Sequence, residues 1–155
     1  MAVIAGVTVA GLAMAGLLGV VLPVADSALG SEAAGTPRAY TEQQIDGRTI
    51  YIREGCFTCH TKTVRDADYE KAYGPMSLAG DYGNEAPNLM GLDRVGPDLS
   101  CVGDRSGDTA KMAEYLRHPR TGRQGATMPA YAFLSDRELH ALAAYLTSLT
   151  CGGDA

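Results

Sequence analysis

Residues Cys56-Phe57-Thr58-Cys59-His60 form a C-x-x-C-H motif, which is the attachment signature of a c-type haem. The two thiols are three positions apart, so both can form thioether bonds to the vinyl groups of one porphyrin. The residue that follows them, His60, is then placed under the iron, where its imidazole can bind as an axial ligand. The motif therefore predicts one covalently attached haem c, held by Cys56 and Cys59 and ligated by His60.

A haem that carries electrons needs a second axial ligand from elsewhere in the chain. The sequence offers six candidates after the motif: Met76, Met90, Met112, Met128, His118 and His140. Met112 and His140 fall within predicted helices, and Met76 is the main rival. We favour Met128, because a loop between two predicted helices can bend the thioether to the iron and Pro129 fixes the backbone there. A His/Met pair raises the reduction potential and closes both faces of the iron, which suits electron transfer.

The segment Gly96-Pro97-Asp98-Leu99 is a further candidate for the site. A haem-ligating histidine usually donates its second ring N–H to a carbonyl or a carboxylate, and the backbone carbonyl of Pro97 is one such acceptor. On these four residues alone, a type I turn with proline at its second position is the simpler interpretation.

The start of the chain is apolar. Residues 2–25 contain no charged side chain, and a helix of that length rises about 36 Å, enough to cross a bilayer core of about 30 Å. A signal peptide is the alternative, with Ala28-Leu29-Gly30 as a possible cleavage site. However, no basic residue precedes the run, and the run is long for a signal peptide. We favour an uncleaved membrane anchor over residues 1–25, in which Gly11, Ala15 and Gly19 form a row of small residues suited to packing against other membrane helices.

The rest of the chain predicts a short linker and one helical domain. Residues 26–40 are rich in Ala, Gly, Ser and Pro and indicate a linker, which leaves residues 41–155 for the domain. Capping-box pairs at Thr41/Gln44 and Ser135/Glu138 predict two helices, the first running to about Glu54. The final helix carries a stripe of apolar side chains: Leu139, Leu142, Leu146 and Leu149.

Between these helices the sequence predicts one more helix and a long irregular region. We expect a helix over Asp108–His118, ended by Pro119, with Met112, Tyr115 and Leu116 on one face. Residues 61–95 indicate mostly loop, with one short helix near residues 66–73. Because no segment alternates as a strand does, the predicted fold is all-α.

The charge balance excludes one class of partner. The 155 residues include 18 acidic and 13 basic side chains, a net charge of −5. A nucleic-acid-binding protein would carry a basic patch, so we expect no nucleic-acid partner. The modest acidic excess would favour a basic redox partner by electrostatic steering, and it is equally consistent with ordinary solubility.

The order of these features resembles the class I cytochromes c: helix, C-x-x-C-H, G-P-x-L, helix, M-P and final helix. Several segments more specifically resemble the mono-haem subunit of cbb3-type cytochrome c oxidases: Gly47–Cys56, Tyr73-Gly74, Ser77–Gly80, Val95–Leu99, His118–Arg120 and Met128–Tyr131. The resemblance implies a class I cytochrome c domain preceded by a single N-terminal transmembrane helix. It also implies a haem contact for Pro97, and it places Arg105 where a family arginine often approaches a haem propionate.

The same resemblance implies a function and a location. The chain would be a single-pass subunit of the inner (plasma) membrane, with its haem domain on the periplasmic side and no catalytic site of its own. It would take single electrons from a donor cytochrome c or a sister haem subunit and pass them to an integral-membrane haem–copper catalytic subunit. Two segments, Pro75-Met76 and Asn88-Leu89-Met90, depart from the family pattern. Another host, a nitric-oxide reductase or a quinol-oxidising complex, is therefore the alternative. A haem enzyme or gas sensor with an open iron is a third hypothesis, against which Met128 argues.

Cys101 and Cys151 lie outside the haem motif, in a domain expected to face a compartment where disulfides persist. In class I cytochromes the end of the final helix lies near the loop that passes under the ligating histidine. The resemblance therefore predicts a Cys101–Cys151 disulfide. The alternative is that the two are unrelated buried cysteines.

Overall fold

The structure, a computed structural model, describes residues 2–22, 37–122 and 125–151, and all regular structure within these ranges is helical. The all-α prediction is thereby confirmed. The chain divides into two compact units, Met1–Pro37 with Leu78–Gly83, and Arg38–Ser77 with Asn84–Ala155. Residues 1 and 23–25 of the predicted anchor and most of the predicted linker lie outside the described residues.

The N-terminal apolar segment is helical, as predicted. Helix α1 (Ala2–Gly16) continues through a π-helical turn, Leu17–Val21. Together they form a helix of 20 residues that is long and apolar enough to cross a membrane, since it rises about 30 Å. No residue of α1 is buried.

Two capped helices form the frame of the second unit. Helix α2 (Glu42–Arg53) follows a capping box in which the Thr41 hydroxyl accepts from the Gln44 N–H and the Gln44 side chain accepts from the Thr41 N–H. Ser135 and Glu138 form the same reciprocal pair at the start of the last helix, Asp136–Thr147. Both predicted helix starts are confirmed. Each box satisfies backbone donors that the first helical turn leaves unpaired.

Helix α2 crosses the last helix at Gly47. A Cβ atom at Gly47 would lie 1.9 Å from the carbonyl oxygen of Ala141 and 2.8 Å from Cβ of Tyr145, so only glycine permits this approach. One turn further along α2, the ring of Tyr51 packs 5.5 Å from that of Tyr145. The predicted apolar stripe completes the core, and all four of its side chains are buried: Leu139, Leu142, Leu146 and Leu149.

Three shorter helices fill the chain between these two: α3 (Val102–Arg105), α4 (Thr109–Arg117) and α5 (Pro119–Gly122). The last helix is therefore α6. Asp108 caps α4 by accepting from the N–H groups of Ala110 and Lys111.

Two expectations for this region are corrected. Tyr115 is 38% exposed, whereas Met112 and Leu116 are buried, so Tyr115 does not belong to the packed face of α4. Pro119 does not only end α4; it also begins α5, because its fixed φ suits a first helical position.

The region between α2 and α3 is mostly irregular, as predicted. It contains three 3₁₀ segments, Cys56–Thr58, Asp68–Tyr73 and Ala79–Tyr82. The second matches the short helix expected near residues 66–73, and the third was not predicted.

Candidate haem site

The haem motif lies on a tight turn directly after α2. Gly55 has φ +69°, a left-handed conformation that lets the chain leave the helix. The Thr58 N–H then donates to the Gly55 carbonyl at 2.9 Å, and the His60 N–H donates to the Cys56 carbonyl at 3.0 Å. Both thiols are unbonded, with Cys56 half-buried and Cys59 exposed. One turn thus presents two thiols and an imidazole.

The ring of His60 is fixed by the backbone of Pro97. Nδ1 of His60 lies 2.8 Å from the Pro97 carbonyl oxygen. Since a carbonyl only accepts, Nδ1 carries the proton and the lone pair on Nε2 is free to bind a metal. A Cβ atom at Gly96 would lie 2.2 Å from Cε1 of this ring. Glycine at position 96 therefore lets the loop pass against the imidazole.

The segment carrying Met128 lies next to the haem motif. Cys56 and Met128 are both half-buried against the same hydrophobic core, which contains Tyr131. Burial raises the pKa of the Cys56 thiol to about 11, and the side chain of Tyr131 partly opposes this rise. Tyr131 was not singled out as a site residue, because a single tyrosine in a loop carries no signal of its own.

The other candidate ligands occupy different surroundings. Met76 and Met90 are about half exposed, at 49% and 46%. Met112 is buried within α4, and His140 lies exposed on α6, where its Nδ1 donates to the Asp136 carbonyl at 2.7 Å. Met128 therefore combines a loop position, partial burial and packing against the same core as Cys56.

These donors fit a c-type haem. Two thiols lie on one turn, an imidazole keeps Nε2 free, and a thioether packs against the same core as Cys56. Residues 1–151 match the family model described as "Cytochrome C oxidase, mono-heme subunit/FixO". The chain belongs to this family. No curated protein matches the chain significantly.

Membership of the mono-haem oxidase subunits has direct consequences. It implies one haem, and a place in a membrane oxidase complex with other subunits. The match also includes α1, so the family and the apolar helix together fit a membrane-anchored subunit. The resemblance drawn from the sequence motifs is confirmed at the level of the family.

Arg105 lies beside the loop that carries Pro97. A guanidinium nitrogen of Arg105 donates to the carbonyl of Asp98, the residue after Pro97, while much of the side chain remains exposed. The remaining N–H donors of Arg105 therefore sit close to the loop that holds His60.

A buried ion pair follows the haem motif, and no sequence pattern predicts it. Lys62 and Glu85 pair with both side chains 1% exposed. Nζ of Lys62 also donates to the Tyr145 hydroxyl at 3.0 Å, and the Tyr40 hydroxyl donates to Glu85 at 2.5 Å. Burial lowers the pKa of Lys62, and the charge of Glu85 opposes that shift. These partners are far apart in the chain and follow no periodic pattern, so only the fold brings them together.

Proposed function

We propose that this oxidase subunit carries single electrons from a donor cytochrome c, or a sister haem subunit, to the haem–copper catalytic subunit. Cys56 and Cys59 hold one haem c covalently, and His60 and Met128 ligate its iron. The observation that carries the proposal is the 2.8 Å hydrogen bond from Nδ1 of His60 to the Pro97 carbonyl, within a C-x-x-C-H turn.

Each residue has a distinct part. When bound, the haem supplies a one-electron couple that needs no substrate at the iron. His60 presents Nε2 in a fixed orientation, because its other ring nitrogen is occupied. Met128, on a loop, would supply the second protein ligand to the iron. Arg105, anchored on the Asp98 carbonyl, directs its remaining donors to a haem propionate.

The proposed location is the periplasmic side of the inner membrane, with α1 as a single-pass anchor. Cys101 and Cys151 form a disulfide, and disulfides persist in an oxidising compartment. The same compartment suits a covalently attached haem. With both iron faces closed, oxygen is reduced on another subunit and this chain has no catalytic site of its own.

Covalent attachment is tested first. The chain, purified in mild detergent, should keep its haem through a denaturing gel, and its pyridine spectrum should show two saturated vinyl groups. Extraction of the haem into acidified organic solvent would show that Cys56 and Cys59 do not hold it.

Electron transfer and the host complex are tested next. When oxygen is mixed with the fully reduced complex, the c-haem should be oxidised within the time of one turnover. A c-haem that stays reduced during turnover would exclude the proposed role. The chains and metals that co-purify identify the host. Copper with a haem-bearing integral subunit is the expected set, whereas a copper-free partner would favour a nitric-oxide reductase or quinol-oxidising complex.

A further inference from the structure

Asp98 joins the segment after His60 to the segment after Pro97. The side chain is fully buried. Its Oδ2 accepts from the Thr61 hydroxyl at 2.6 Å and from the Thr63 N–H at 3.2 Å. Its Oδ1 accepts from the Ser100 N–H at 2.8 Å. One carboxylate thus connects two stretches of backbone that both adjoin the His60–Pro97 hydrogen bond.

The guanidinium of Arg94 also links Asp98 to the segment that follows His60. Its Nε donates to the Thr61 hydroxyl oxygen at 2.7 Å, and one Nη lies 3.2 Å from Oδ2 of Asp98 and 3.0 Å from the Thr63 carbonyl. The guanidinium also stacks over the Tyr73 ring, 4.5 Å from its centre. A planar group with several donors is needed to reach all these partners at once.

Glu70 holds Arg94 in place. Its carboxylate is fully buried, lies 3.3 Å from Arg94, and accepts from the Arg65 N–H at 2.7 Å. The Arg65 guanidinium pairs with the same carboxylate but is largely exposed. Within the described part of the chain, no hydrogen bond or ion pair joins Arg65 to Thr61 or Asp98, so Arg65 offers a matched comparison for Arg94.

Two backbone hydrogen bonds lie on either side of the hydrogen bond between His60 and the Pro97 carbonyl. The Gly96 N–H donates to the Cys59 carbonyl at 2.8 Å, and the Leu99 N–H donates to the Thr61 carbonyl at 2.8 Å. The His60–Pro97 hydrogen bond lies between them along the chain. Anything that loosens residues 61–63 from residue 98 therefore loosens the carbonyl that accepts from His60.

We propose that Arg94 and Asp98, bridged by the Thr61 hydroxyl, are positioning residues that hold the Pro97 carbonyl on His60 and so set the reduction potential of the haem. This inference rests on the proposed ligation of the iron by His60. A well-aligned Nδ1–H···O hydrogen bond makes the imidazole a stronger electron donor to the iron, and this stabilises the oxidised iron. Loosening that bond raises the reduction potential.

The decisive comparison is Arg94→Lys against Arg65→Lys in the full-length, haem-loaded chain. Both variants keep the charge, and both original residues pair with Glu70. At a potential equal to the wild-type midpoint, Arg94→Lys should raise the ratio of reduced to oxidised haem from one to about three. This change corresponds to a rise of about 28 mV in the midpoint reduction potential of a one-electron couple. Arg65→Lys should leave that ratio unchanged.

Thr61→Val provides a test without any change of charge and with almost no change of volume. It removes the hydroxyl that bridges Asp98 and Arg94. The potential should shift upward as in Arg94→Lys, and the axial-histidine resonances of the oxidised haem should move. Loss of folding stability alone would not change these two readouts.

Three outcomes would overturn the proposal. The first is an unchanged potential and unchanged histidine resonances in both Arg94→Lys and Thr61→Val. The second is an equal shift in Arg65→Lys. The third is loss of haem from both test variants but not from Arg65→Lys, which would assign the cluster to assembly of the site. Failure of the proposed function is separate, because it would appear in the wild-type chain as a haem that is not covalently bound or not ligated by histidine.

Discussion

The sulfur atoms of Cys101 and Cys151 are bonded, joining two residues 50 positions apart in the chain. Cys101 immediately precedes α3, and Cys151 follows the end of α6. Two hydrogen bonds support the same junction: the Gly103 N–H donates to the Leu149 carbonyl, and the Cys151 N–H donates to Asp104. The predicted disulfide is confirmed, and it ties the chain after α6 to the segment that follows the Pro97 loop.

Replacing both cysteines, as Cys101→Ala with Cys151→Ala, should lower the free energy of unfolding by about 4 kcal/mol. This value follows from the chain entropy of the unfolded state, in which the disulfide closes a loop of about 50 residues. Denaturant unfolding of both proteins measures the difference. Equal unfolding midpoints, or alkylation of both wild-type thiols without reductant, would contradict it.

Met128→Ala should open the iron while leaving the haem attached. The variant should lose the weak sulfur-to-iron band near the red end of the oxidised spectrum, and its reduced form should bind CO. His60→Ala should instead largely prevent haem maturation, because it removes the ligand on the attachment turn itself. Met76→Ala is the control and should behave as wild type. If Met76→Ala opens the iron and Met128→Ala does not, the ligand assignment is wrong.

The features that the sequence predicted well depend on residues close together in the chain. The capping boxes at Thr41 and Ser135 each use a partner three residues away, so both helix starts are readable from the sequence. The predicted leucine stripe has a regular spacing and is buried throughout, although α6 ends at Thr147 and Leu149 lies just beyond it. Tyr115 shows the limit of such patterns. Its spacing from Met112 also fits a position at the edge of the buried face of α4, and its side chain is exposed there.

The surroundings of the candidate site could not be predicted in the same way. Asp98 bonds to Thr61, 37 residues earlier, and Lys62 pairs with Glu85, 23 residues later. Neither pair forms a motif, and charged residues are exposed far more often than they are buried. Only the path of the chain past the haem motif makes these groups neighbours. The iron ligands themselves, His60 and Met128, stay predictions that spectroscopy tests.

Gly11→Leu with Ala15→Leu should release the subunit from its complex without releasing it from the membrane. Nothing in the described part of the chain lies within 4 Å of a Cβ atom at Gly11, so leucine there displaces no described neighbour. The larger side chains would, however, prevent close packing of a neighbouring helix against the row of small residues. Co-purification of the catalytic subunit with the variant should fall about tenfold. Ala5→Leu, on another face of α1, is the control, and equal co-purification of all three proteins would indicate an anchor without a helical partner.

Glu70→Gln should make the stability of the domain less sensitive to acid. Hydrogen bonds from the Arg65 backbone and side chain, together with Arg94, lower the pKa of the Glu70 carboxyl from 4.5 to about 2. A carboxyl with a lowered pKa stabilises the fold above its unfolded pKa, and this contribution is lost as the pH falls from about 4.5 towards 2. The arginines stay charged throughout that range, so the change belongs to the carboxyl. The variant should therefore be less stable than wild type at pH 7, and the gap should close towards pH 2.

Denaturant midpoints measured across this pH range give the result directly. Asp68→Asn is the matched control, because its carboxylate pairs with Lys71 at the surface and is 94% exposed. Such a pair contributes little to stability, so this variant should follow the wild-type curve. A gap between Glu70→Gln and wild type that stays constant with pH would show that packing at Glu70, and not its charge, stabilises the cluster around Arg94.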